Sequence, residues 1–147
     1  MTDNKDNKFN GLFVRQTANQ YKIGNTTYKE RIKKLDALMI ALETTYKQDI
    51  RKAMYDDFKK PFLETDLTEI YPIISEIKFT KKHLKSWMRL QKVDTPLTML
   101  GASSYIKYEP KGVCLIISPW NFPFNLTFVP LVSAIAAGNT VIIKPSE

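Results

Sequence analysis

The chain of 147 residues has one cysteine, Cys114, and one histidine, His83, so it lacks most side chains from which catalytic and metal centres are built. A single cysteine excludes an internal disulfide framework and is typical of a reducing compartment, so we predict a cytoplasmic protein. One Cys and one His assemble neither a zinc site nor a Ser–His–Asp triad, and we predict no metal. Cys114 lies inside an apolar run, where we expect a buried and inert thiol.

Glycine is also scarce, with five residues, and no G-x-G-x-x-G phosphate loop is present. We predict no membrane span. The start, MTDNKDNKFNG, is polar and has no apolar segment typical of a secretory signal. Residues 1–10 are predicted to form a disordered tail.

Positive charge is in excess, with a formal net charge of +7. The lysines come in scattered pairs that alternate with acids at helical spacing, which predicts solvated helix faces and no nucleic-acid partner. A basic helical nucleic-acid binder is the alternative. It requires Lys and Arg on one face and binding that weakens steeply with salt.

Residues 11–92 are predicted to form an amino-terminal helical segment. Thr27 and Glu30 have the spacing of a capping box at the start of one helix, and Pro61 ends the apolar periodicity that follows it. Thr65 or Asp66 is expected to cap a further helix. Pro72 lies inside that pattern, so we predict that this helix begins late, near Thr68, or kinks. Residues 93–111 are predicted to be a connector and an exposed bridging strand.

The last forty residues predict a strand, a loop, a helix and a second strand. Gly112–Ser118 is a Val/Ile-rich run typical of a strand buried on both faces, and Phe124–Ala137 is typical of a helix that ends before a left-handed Gly138. Thr140–Ile143 is β-branched. Such a βαβ unit predicts parallel strands with a right-handed crossover. Polar clusters follow both strands, so we expect one ligand site built from two loops at the carboxyl edge of the sheet.

Three motifs in this region, PWNFP, AIAAGN and KPSE, resemble in order and spacing the first nucleotide-binding segment of the aldehyde dehydrogenase superfamily. Arg31, Glu69 and Trp87, with the PFNLT continuation, resemble the class 3 (fatty-aldehyde) branch. The resemblance covers nearly the whole chain from Gly11, but only the front third of a family member. It implies an α/β fold in which amino-terminal helices precede the first βαβ unit of a Rossmann-like NAD(P)-binding domain, 112–147, that is incomplete.

Asn121, in the PWNFP motif, is the candidate catalytic residue. A side-chain amide at the carboxyl end of a strand suits either of two roles: donating to a developing oxyanion or capping the next helix. The resemblance implies the first role, stabilisation of the oxyanion formed when a thiolate attacks an aldehyde.

The resemblance also implies the cofactor, NAD or NADP. Lys144, Pro145, Ser146 and Glu147 correspond to the family's ribose-binding loop, for which the alternative is an exposed ion pair of little energy. The residues Ser118, Pro119 and Trp120 are expected beside the nicotinamide end, and the alternative for Trp120 is core packing.

The reaction that the resemblance implies is oxidation of an aldehyde to a carboxylate by a cysteine nucleophile and a glutamate base. Neither residue matches a position in this chain, so we expect the amino-terminal fragment of a longer enzyme, inactive alone and homodimeric at full length. A non-catalytic module that binds or responds to the nucleotide is the alternative.

Overall fold

In the computed structural model, which describes residues 9–146, a helical segment precedes two small sheets. The helices are α1 (Asn10–Gly24), α2 (Tyr28–Ile40), α3 (Lys47–Phe58), α4 (Phe62–Thr65), α5 (Tyr71–Trp87) and α6 (Asn125–Ala137). The strands are β1 (Gln91–Val93), β2 (Ser104–Ile106), β3 (Val113–Ile117) and β4 (Thr140–Lys144). Residues 1–8 of the predicted tail lie outside the described part, and its last residue, Asn10, begins α1.

The capping box at the start of α2 is confirmed. Thr27 has extended backbone and lies just before the helix. Its backbone N–H donates to the Glu30 carboxylate over 2.7 Å, and the Glu30 N–H donates to the Thr27 hydroxyl over 3.3 Å. The hydrogen bond from the Thr27 hydroxyl, followed by that from the Thr27 N–H, lowers the pKa of Glu30, because both donors stabilise the ionised carboxylate.

The prediction of a late helix start at Thr68 is wrong. The helix begins at Phe62, directly after Pro61, and runs through a π-helical turn, Asp66–Ile70, into α5. Neither Thr65 nor Asp66 caps it, because both have helical backbone. Pro72 has no N–H to donate, and in a regular α-helix its ring would crowd the carbonyl four residues earlier. The wider π-helical turn just before Pro72 leaves room for that ring.

The hydrophobic core lies between α2, α3, α5 and α6. It consists of Leu35, Leu42, Ile50, Met54, Ile70, Ile73, Ile74, Ile77, Leu84, Val132 and Ala136. These side chains recur at three- and four-residue spacing on their helices, as an amphipathic pattern requires. The core therefore joins the amino-terminal helices to α6, the helix of the βαβ unit.

The predicted βαβ unit is confirmed. Strands β3 and β4 are parallel, with Val113 opposite Thr140 and Ile117 opposite Lys144, and α6 connects them. Gly138 ends α6 with φ of 85°. Strands β1 and β2 form a separate antiparallel pair, of which only β2 was predicted. No helix within residues 9–146 has the length and apolarity to cross a membrane.

The prediction that β3 is buried on both faces is wrong for the described residues. Ile116 is buried, but Leu115 and Ile117 are 60% and 68% exposed. Side chains alternate between the faces of a strand, and Ser118, two residues after Ile116, bonds to Thr127 of α6. Helix α6 therefore covers the Ile116 face. On the opposite face α1 packs at the start of the strands, where the Thr140 hydroxyl donates to the Gln16 carbonyl over 3.3 Å, and Leu115 and Ile117 stay exposed.

A buried arginine holds the carboxyl-terminal end of α6. The Arg31 guanidinium donates to the Ala136 carbonyl over 2.7 Å and to the Gly24 carbonyl, at the end of α1, over 2.8 Å. Burial lowers the pKa of Arg31, although a guanidinium stays charged in proteins. A cation is favoured at helix carboxyl ends because the helix dipole is negative there. A Cβ at Gly138 would lie 2.5 Å from the Arg31 Nη2 atom.

We therefore expect Gly138→Ala to lower the free energy of unfolding by roughly 2–3 kcal/mol, because it adds a clash with Arg31 to the strain of a left-handed residue. Urea denaturation measures this. Gly101→Ala is the matched control, since Gly101 has φ of 87° but open space around it, and only the strain, about 1 kcal/mol, is expected. Equal losses in the two variants would show that the Arg31 contact contributes nothing.

Candidate functional site

The two predicted ligand loops meet at the carboxyl edge of the β3–β4 sheet. The Ser118 N–H donates to the Lys144 carbonyl over 3.1 Å, one step beyond the last strand pair. Residues 118–123 and 144–146 therefore leave the sheet side by side, as the sequence predicted. Pro145 is exposed and Ser146 is half-buried, while Glu147 lies outside the described residues.

Ser118 connects the strand end to the first turn of α6. Its buried hydroxyl lies 2.6 Å from the Thr127 hydroxyl, which also bonds to the Pro123 carbonyl. A hydroxyl donates one proton, so Ser118 donates to Thr127 and Thr127 donates to Pro123. Ser118 therefore fixes the base of the loop.

Trp120 and Asn121 lie at the exposed tip of this loop. Trp120 is 63% exposed and stacks on Phe58 at the end of α3, with ring centroids 6.5 Å apart and planes 13° from parallel. The core-packing alternative for Trp120 is therefore wrong within the described residues. Pro119 is exposed as well.

Asn121 does not cap α6, so that alternative is wrong. The helix begins four residues later, at Asn125, and its preceding residue Phe124 makes no side-chain cap. The Asn121 side chain is exposed and takes no hydrogen-bond partner among residues 9–146. Its amide is thus available to a ligand.

The carboxylate that holds the start of α6 comes from another helix. Glu69, in the π-helical turn, accepts the backbone N–H groups of Phe124 and Asn125 at its Oε2 atom, over 3.2 and 3.0 Å. These groups are orphan donors at the helix start, where the dipole favours an anion. Glu69 thus performs the capping that the sequence suggested for Asn121.

Glu69 forms a buried ion pair. Its side chain is 0% exposed, and its Oε1 atom accepts from Lys60 Nζ over 2.6 Å. Lys60 Nζ also lies 4.5 Å from the centre of the Phe122 ring, a cation–π distance. The pair was missed in the sequence. The sequence feature that could have indicated it is the position of Glu69, four residues before Ile73, which puts a carboxylate on the apolar face of the helix.

Pro72 provides a second link to α6. Because Pro72 has no N–H, the Thr68 carbonyl four residues earlier receives no helical hydrogen bond from it. The Asn125 side-chain amide donates to that carbonyl over 3.1 Å. Pro72 therefore leaves the Thr68 carbonyl open to accept a hydrogen bond from Asn125, the first residue of α6.

Cys114 occupies the middle of β3, opposite Val141. Its side chain is half-buried rather than fully buried, although by alternation it lies on the same face as Ile116, which α6 covers. Five residues of strand and turn separate it from Trp120 and the loop tip. His83 stacks between Phe79 and Trp87 on α5, and neither residue joins the two loops.

The fold is an incomplete α/β unit with two loops side by side at the carboxyl edge of its parallel strands. The aldehyde dehydrogenase family model matches residues 12–147, and the chain belongs to this family. It is 49% identical to 4,4'-diaponeurosporen-aldehyde dehydrogenase of Staphylococcus aureus over 81% of this chain and 25% of the relative. It is 43% identical to aldehyde dehydrogenase family 3 member H1 of Arabidopsis thaliana over 82% of this chain and 25% of the relative. The chain thus spans about a quarter of these relatives, and the class 3 resemblance is confirmed.

Solved structures agree with this fold. The substrate-bound Staphylococcus aureus AldH matches 93% of this chain and 30% of its own, with a TM-score of 0.86 and 43% identity. Glyceraldehyde-3-phosphate dehydrogenase GapN of Methanocaldococcus jannaschii, complexed with NADP, matches 92% of this chain and 28% of its own, with a TM-score of 0.80 and 21% identity. At that identity the second match supports the fold alone.

Lys60→Met is expected to destabilise the protein by roughly 3–5 kcal/mol, because it leaves the Glu69 carboxylate buried without its cation. Urea denaturation followed by circular dichroism measures this. Lys52→Met is the control, since it breaks an exposed pair with Asp56, and the loss of stability is expected to be far smaller because water screens that pair. A Lys60 variant as stable as the Lys52 variant would contradict the buried-pair interpretation.

Proposed function

We propose that the chain is the front segment of an NAD(P)⁺-dependent aldehyde dehydrogenase that oxidises aldehydes to carboxylates. The observation that carries this proposal is the exposed Asn121 amide at the carboxyl edge of two parallel strands, in a chain of the aldehyde dehydrogenase family. Ligands of open parallel sheets bind at this edge. Asn121 therefore lies where a reacting carbonyl and a nucleotide can meet.

The proposed role of Asn121 is to donate its side-chain N–H to the oxygen that gains negative charge when the aldehyde is attacked. Such a donor accelerates the reaction because it is already oriented where charge develops. The Asn121 side-chain amide makes no hydrogen bond to another residue within 9–146. It can therefore meet the oxyanion without breaking an internal hydrogen bond.

The second loop, Lys144–Glu147, is proposed to bind the ribose of NAD or NADP. Carboxylate, hydroxyl and ammonium groups at the end of a parallel strand suit ribose hydroxyls. Ser118, Pro119 and Trp120 are proposed to border the nicotinamide, which accepts the hydride when bound. Structures of the same fold have been solved with NADP and with nicotinamide adenine dinucleotide, so both cofactors are compatible with the proposal.

The nucleophile and the base are proposed to lie outside these residues. Cys114 is in mid-strand, away from the loop tip, and so is not placed to attack an aldehyde held at Asn121. The chain alone is thus proposed to lack turnover, while its full gene product is proposed to be a cytoplasmic homodimer that takes aldehyde substrates. A non-catalytic nucleotide-binding module is the second candidate, favoured only by the adjacency of the two loops.

In the full gene product, Asn121→Ala is expected to lower kcat for aldehyde oxidation by about 10²–10³-fold, since that is the usual effect of removing one oxyanion donor. NAD(P)H formation at 340 nm measures it. Asn19→Ala is the control, because Asn19 bonds only to Arg15 on the exposed face of α1, and it should retain full activity. A gene product that binds NAD(P)⁺ without oxidising any aldehyde would instead support the binding module.

Glu147→Gln is expected to raise the KM for NAD⁺ about tenfold or more with little change in kcat, because it weakens an acceptor for ribose hydroxyls and leaves the reacting atoms unchanged. Steady-state kinetics at varied NAD⁺ separate the two constants. Glu64→Gln, on the exposed side of α4, is the matched control. A Glu147 variant with unaltered cofactor kinetics would remove this residue from the proposed ribose site.

A further inference from the structure

We propose that Glu69 is a positioning residue for Asn121: together with Lys60 it fixes the loop that presents the Asn121 amide. This inference rests on the proposed function, because Asn121 is assumed to act on the oxyanion. Glu69 itself is fully buried, and its side-chain hydrogen bonds are with Lys60, Phe124 and Asn125 rather than with Asn121. Its effect on the reaction passes through the backbone of residues 119–125.

The first contact fixes the end of the loop. Both Phe124 and Asn125 donate their backbone N–H groups to one oxygen of Glu69. Two charge-assisted hydrogen bonds to a carboxylate that is itself buried hold these residues in one orientation. Phe124 is three residues from Asn121, so little chain remains to absorb motion.

The second contact fixes the residue next to Asn121. Lys60 Nζ lies 4.5 Å from the Phe122 ring centre and 2.6 Å from Glu69. The same ammonium group thus contacts both the Glu69 carboxylate and the Phe122 ring. On the other side of Asn121, Trp120 stacks on Phe58, two residues before Lys60.

Together these contacts hold the chain on both sides of Asn121. Residues 120, 122, 124 and 125 each touch the segment 58–69. Asn121 lies between two of them and is exposed. A donor held in this way needs little reorganisation when charge develops, and such preorganisation lowers the barrier of the chemical step rather than improving ground-state binding.

The test is a double-mutant cycle in the full gene product. Glu69→Gln keeps the side-chain shape but places neutral atoms between Lys60 and α6. We expect kcat to fall at least about tenfold, part of the ~10²–10³-fold that an oxyanion donor supplies, while both KM values stay within about threefold. In an Asn121→Ala background, Glu69→Gln should cause no further loss of kcat, because the donor that it positions is absent.

A loss of kcat that persists unchanged in the Asn121→Ala background would overturn the inference, as would full activity of Glu69→Gln. Asp66→Asn is the control: it disrupts the Arg51–Asp66 pair of the same π-helical turn without touching α6, and kcat should not change. If Glu69→Gln does not fold, Phe122→Leu, which removes the contact of the loop with Lys60, replaces it in the same cycle, with an expected kcat loss of a few fold that also vanishes without Asn121.

Amide hydrogen exchange distinguishes the failure of this inference from the failure of the proposed function. Faster exchange at Phe124 and Asn125 in Glu69→Gln is expected, and unchanged exchange would overturn the positioning role. A wild-type gene product that oxidises no aldehyde would overturn both proposals. If the wild type is active but the losses of kcat caused by Glu69→Gln and Asn121→Ala simply add in the double variant, the positioning role of Glu69 alone would be overturned.

Discussion

Helix α6 is held at both ends by buried side chains of opposite charge. The Glu69 carboxylate accepts the N–H groups of Phe124 and Asn125 at its start, and the Arg31 guanidinium donates to the Ala136 carbonyl near its end. Each charge matches the dipole at its end, and each comes from the amino-terminal helices. The position of the βαβ unit therefore depends on that segment, which explains why a run of helices without ligand-binding motifs precedes the two loops.

This arrangement also relates the two loops to each other. The loop with Asn121 enters α6, while the chain leaving α6 passes through Gly138 into β4 and on to Lys144. A shift of α6 along its axis would displace both loops together. Hydrogen bonds at both helix ends oppose such a shift, and the parallel strands fix the loops laterally.

The sequence predicted the parts of the fold that depend on local pattern. The capping box, the βαβ order, the left-handed Gly138 and the adjacency of the two loops followed from spacing alone. It did not predict the Lys60–Glu69 pair, because pairing across nine residues and an intervening turn depends on tertiary packing. Burial of Leu115 and Ile117 was predicted wrongly, since an apolar run shows only that a face can be covered, not that residues 9–146 cover it.

The π-helical turn before Pro72 has a consequence for helical phase. An α-helix turns about 100° per residue, and a π-helical turn holds one residue more than an α-turn. The wider turn therefore takes up one extra residue while the helix on either side keeps its phase, and both Thr65 before it and Ile73 after it lie buried. Glu69 lies within this turn. The chain thus places a buried carboxylate between two stretches of helix without rotating either of them away from the interior.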